Sequence, residues 1–61
     1  MKFAHLIEAC RGDPHQLAEL ALLMAMAANA YGVTGAKMPQ TRELIRDLNE
    51  AVIEIQKRVR S

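Results

Sequence analysis

The chain has 61 residues, 51% hydrophobic and 25% charged, with a formal net charge of +1 and a single cysteine. A domain of this length buries only about 60% of the surface its unfolded form exposes, so a disulfide, a metal or a partner subunit usually supplements the core. Near-neutral charge argues against nucleic acid as a partner, because such binding rests on a strong excess of Lys and Arg.

Each supplement leaves its own trace in a sequence. Cys10 stands alone and forms no intramolecular disulfide, which suits a reducing compartment; a small buried hydrophobe on a helix is its expected role. His5, Glu8, Cys10, Asp13 and His15 lie near one another, but neither a CxxC nor an HxxxH pair occurs among them, so no metal or other cofactor is expected. Association with further copies of the chain remains, with a dimer as the default order.

The first predicted element is a short helix over 1–11, in which Phe3, Leu6, Ile7 and Cys10 gather on one face. Lys2, Glu8 and Arg11 are left for solvent, and His5 sits at the edge of the stripe. Arg11 is placed in the last turn, where a cation suits the negative end of the helix dipole. Eleven residues do not hold a helix in isolation, so this one forms by docking. Gly12-Asp13-Pro14 then reads as a tight turn: glycine stops one helix, Asp13 caps the next and Pro14 fits its first position.

The second helix is expected from Pro14 to Tyr31. Its polarity is confined to His15, Gln16 and Glu19 at the start and Asn29 near the end. From Leu20 to Ala28 every residue is apolar, so this length has no wet face. Three strips run along it. Ala18, Ala21, Ala25, Ala28 and Gly32 form a seam of small residues that lets another backbone come close, and this is the expected oligomer interface. Leu17, Leu20, Met24, Ala27 and Tyr31 form a second strip, and Leu22, Leu23, Met26 and Ala30 fill the rest. Two other short helices cover about two of these strips, which leaves one for another subunit. Asn29 either sets register between subunits or lies in solvent.

A membrane span is a competing use for so apolar a stretch. Glu19, Asn29, two glycines and many weakly hydrophobic alanines weigh against it. An export signal is opposed by the order of residues, since Lys2 is followed by His5, Glu8, Arg11 and Asp13 before any long apolar run. Cytoplasmic residence away from the membrane is the expectation.

The loop predicted over 32–39 contains two glycines and ends at Pro39. Gly32 to Lys37 departs from the Walker pattern in both spacing and ending. A looser anion site remains open, with Thr34, Lys37, nearby backbone amides and Arg42 holding charge while Tyr31 stacks on a base. The plain alternative is a connecting loop with a C-cap glycine at Gly32.

The third helix is expected to begin near Thr41 as N-cap, with Glu43 in its first turn. Leu44, Leu48, Val52, Ile55 and Val59 form its apolar stripe, flanked by Ile45 and Ala51, while Ile53 lies outside. Glu54–Arg58 and Arg46–Glu50 are pairs four apart on its surface. From Lys37 onward six basic residues meet four acidic ones, which leaves a mildly basic tail.

The expected architecture is thus one all-α domain over 1–61, three helices in the order short, long, long, with the last two as a hairpin inside a homo-oligomeric bundle. Ser61 is the sole serine and neither histidine has a well-placed carboxylate, so an enzyme is not expected. The leading expectation is a homo-oligomeric helical binding protein, a regulator, inhibitor or adaptor of another protein, of the kind phages and plasmids carry. A second is a binder of a nucleotide or other anionic small molecule, through Tyr31, Thr34, Lys37 and Arg42 at a subunit interface. A third is weak nucleic-acid binding along Arg42, Arg46, Lys57, Arg58 and Arg60.

Overall fold

The computed structural model describes residues 2–33 and 38–60. Three helices follow one another: α1 (Ala4–Ala9), α2 (Pro14–Val33) and α3 (Pro39–Arg60), with no strand among the described residues. The protein is therefore all-α. Helices α2 and α3 carry most of the packing. They run antiparallel, since Ala18 and Ala21 near the start of α2 face Ile55 and Val59 near the end of α3 across a shared groove. The short α1 closes the open end of this hairpin and touches both long helices.

Local chemistry accounts for the junction between α1 and α2. The Asp13 carboxylate accepts a hydrogen bond from the His15 amide at 2.9 Å, and the Asp13 carbonyl accepts the first helical bond from Leu17 at 2.9 Å. Pro14 takes the first helical position, where its missing N–H costs nothing. Asp13→Ala is expected to cost about 1 kcal/mol and to lower the melting temperature by roughly 4–8 °C, read by circular dichroism.

The turn before Asp13 differs from expectation in one respect. Gly12 has φ of 74°, as a helix-ending glycine does, but Arg11 has also left the helix and takes φ of 52°. Arg11 is thus a turn residue rather than the last-turn partner of the helix dipole. The last bonds of α1 close over three residues, from the Cys10 amide to the Ile7 carbonyl at 3.1 Å and from the Arg11 amide to the Glu8 carbonyl at 3.0 Å. Such tightening is common where a helix is too short to propagate.

Two helix boundaries also move. Helix α2 passes through Gly32 and ends at Val33. One glycine costs about 1 kcal/mol in a helix interior, too little to stop a helix already propagating. At the other side, α3 begins at Pro39, and the Met38 carbonyl accepts bonds from the Thr41 and Arg42 amides at 3.1 and 3.2 Å. Pro39 therefore opens the helix where the sequence suggested a loop, Thr41 lies inside it, and Glu43 falls beyond the first turn.

The core consists of Ile7, Cys10, Leu17, Met24, Ala28, Leu48, Ala51 and Ile55, with Phe3, Leu20, Ala21, Ala27, Leu44, Ile45 and Val52 packed around it. Its largest fully buried side chains, Ile7, Leu17 and Ile55, come one from each helix. They meet at the end that α1 closes, which explains how so short a helix is held. Cys10 is buried there, and its thiol lies 3.5 Å from the Leu6 carbonyl. An exposed ion pair adds a polar tie, with Arg58 Nη2 3.1 Å from Glu8 Oε1 and Arg58 Nε 3.6 Å from Glu54 Oε1. Pairs this exposed contribute at most about 1 kcal/mol, so the apolar junction does most of the holding.

Two expected stripe members are left largely open, Leu6 at 49% and Val59 at 48% exposure. Val59 runs alongside Ala18 and Ala21, whose methyl groups are too short to cover it. A groove of about 300 Å³ results, lined by those residues with Ile55, Gln56 and Arg60.

Candidate functional site

Helix α2 meets the rest of the fold along one line only. Leu17, Met24 and Ala28 are buried, with Leu20, Ala21 and Ala27 packed beside them. At 100° per residue these positions cluster within about 60–80° of one direction. On the opposite side stand Leu22 (61% exposed), Leu23 (64%), Met26 (59%) and Val33 (79%), joined by the exposed Ala30. The spacing of these five residues makes them one continuous strip roughly 100° wide, the width at which a helix ordinarily faces a core.

The small-residue seam divides between these two sides. Ala28 is buried and Ala21 is packed against the core, while Ala18, Ala25 and Gly32 are exposed along a flank. Part of the seam thus serves the approach of α3, whose Ala51 has no exposed surface. Ala28 of α2 and Ala51 of α3 are both buried in the core between the two helices. The strip turned to solvent is instead the one with the largest side chains. The sequence does hold a signal for it: two other helices cover about two of the three strips of α2, and the strip left over is that of Leu22, Leu23, Met26 and Ala30.

Polar groups border this apolar strip. His15, Gln16 and Glu19 are exposed at its start and Asn29 is exposed along one edge. An apolar centre with a polar rim is the usual anatomy of a protein interface. Glu19 is the only charged residue of α2, and the helix has neither Lys nor Arg. By length and composition α2 is also long and apolar enough to cross a bilayer, with a mean hydropathy of 1.2 over a window that is 17% buried.

The other candidate sites are less complete. Tyr31 lies in the last turns of α2, 43% exposed, and Arg42 lies exposed near the start of α3. Thr34 and Lys37 fall outside the described residues, so the anion-binding set is represented by its two ends alone. The basic residues of α3 are spread along its length, with Arg42, Arg46 and Lys57 exposed on its outer side. Arg42 and Arg60 are about 27 Å apart along the axis at 1.5 Å per residue. Arg58 is turned toward Glu8 and Glu54. Among the described residues no three His, Cys, Asp or Glu side chains come together as a metal site would require.

No protein family, curated protein or solved structure matches this chain.

Proposed function

We propose that the chain is a non-enzymatic helical binding protein, a homo-oligomer that regulates, inhibits or adapts another protein in the cytoplasm. The observation that carries this reading is the exposed strip of Leu22, Leu23, Met26, Ala30 and Val33, on the side of α2 opposite its core line. Contiguous apolar surface of that kind marks an interaction site, whereas scattered exposed leucines do not. A thin core gives the same direction, since a chain this small gains much from a partner.

Light scattering at micromolar concentration tests the oligomeric part. The expected mass is at least twice the 6.8 kDa of one chain. A mass of one chain across the micromolar range overturns it.

A further inference from the structure

We propose that the occupant of the exposed α2 strip is the same strip of a second copy, so that two chains pack side by side through Leu22, Leu23, Met26 and Val33 about a two-fold axis near Met26. This rests on the reading of the chain as a binding protein and names the partner at that surface.

Area supplies the first argument. The chain exposes 4675 Å². A compact monomer of 6.8 kDa is expected to expose about 4000 Å². The excess is roughly 700 Å², and the exposed side chains of Leu22, Leu23, Met26 and Val33 contribute to it. Part of it comes from an elongated outline of 35 × 18 × 16 Å. Side-by-side pairing along the long axis corrects that outline as well, because it broadens the molecule without lengthening it.

Charge supplies the second. A helix that lies on an anionic membrane carries Lys and Arg around its apolar face, and α2 has neither. A helix that crosses the bilayer has to take its neighbours with it or leave them. Leu17, Met24 and Ala28 are packed in one core with Leu48, Ala51 and Ile55 of α3. The outer side of α3 presents exposed Arg42, Arg46, Glu50 and Lys57, which hydrocarbon does not accept. A protein surface therefore fits the strip better than lipid. A second copy is the protein partner present whenever the chain is, and its strip is apolar to the same width.

In a two-fold contact the residue nearest the axis meets itself. Met26 points away from the core line and lies midway between Glu19 and Val33, so it occupies that place. The experiment combines two variants with the wild type. Met26→Glu is expected to weaken association by ~100-fold or more, because each copy then buries an unpaired carboxylate. It leaves the helical circular dichroism intact, since the position is exposed within one chain. Met26→Cys is expected to form an interchain disulfide under mild oxidant. The wild type is not, its one cysteine being buried.

A wild-type dimer that persists in Met26→Glu, with no cross-link in Met26→Cys, overturns the assignment of this strip and leaves the binding-protein reading standing. A monomeric wild type overturns the self-association that both require. Co-sedimentation of the wild type with phosphatidylcholine vesicles in place of dimer formation assigns the strip to lipid and overturns the proposal. If Met26→Glu fails to fold, the Met26→Cys cross-link decides alone.

Discussion

Ile55→Ala is expected to remove most of the stability of the chain. Ile55 is 1% exposed and belongs to the junction where Ile7 and Leu17 are also fully buried. Truncating a buried isoleucine to alanine costs about 2–5 kcal/mol, from lost transfer energy and the cavity left behind. A domain of this size holds only about 3–9 kcal/mol in total, at 0.05–0.15 kcal/mol per residue. The melting midpoint is expected to fall by roughly 10–30 °C at fixed protein concentration, followed by circular dichroism. Ile55→Val at the same site costs about 0.5–1.5 kcal/mol, because only one methylene is lost. A fall of under a few degrees in Ile55→Ala contradicts the central place given to this junction. The effect reaches beyond α3, since α1 has six residues and no independent stability. Loosening the pocket that receives Ile7 frees α1 from the hairpin.

Ala51→Leu is expected to be the next most damaging change, although it adds hydrophobic surface. Ala51 has no exposed surface and sits in the same core as Ala28 of α2. Added volume there forces the two long helices apart or drives side chains off their rotamers, at about 1–3 kcal/mol. The same substitution at Ala25 is the control. Ala25 is exposed on the flank of α2, so Ala25→Leu is expected to change stability by no more than about 0.5 kcal/mol. Thermal melts of the two variants side by side read the difference. Equal losses in both place the small-residue seam, and not the α2–α3 contact alone, under steric constraint.

The apolar periodicity of α3 was legible without coordinates because that helix is strongly amphipathic. Leu48 and Ile55 are buried, and Leu44, Ile45 and Val52 pack against the core, as their spacing implies. The junction at Asp13 and Pro14 was legible for a different reason. Capping is local chemistry, decided by residues two positions apart, and the 2.9 Å bond from the His15 amide follows from it. Boundaries governed by competing local preferences were less legible. Pro39 suits both the end of a loop and the start of a helix, and Gly32 both a cap and a tolerated interior position.

Helix α2 marks where sequence alone stops. Apolar residues occupy nearly its whole circumference, so periodicity offers no preferred face, and residue size alone sets the small-residue seam apart as the expected interface. The sequence by itself determined that there would be three helices, that the middle one would be too apolar for a short chain to cover, and that a tight turn would join the first two. Tertiary structure alone decided which strip of α2 is covered. Helix α3 docks along the line of Leu17, Met24 and Ala28, which share one core with its Leu48, Ala51 and Ile55. That choice turns Leu22, Leu23, Met26 and Val33 to solvent. Close packing is a property of two surfaces together, and one helix read in isolation does not contain it.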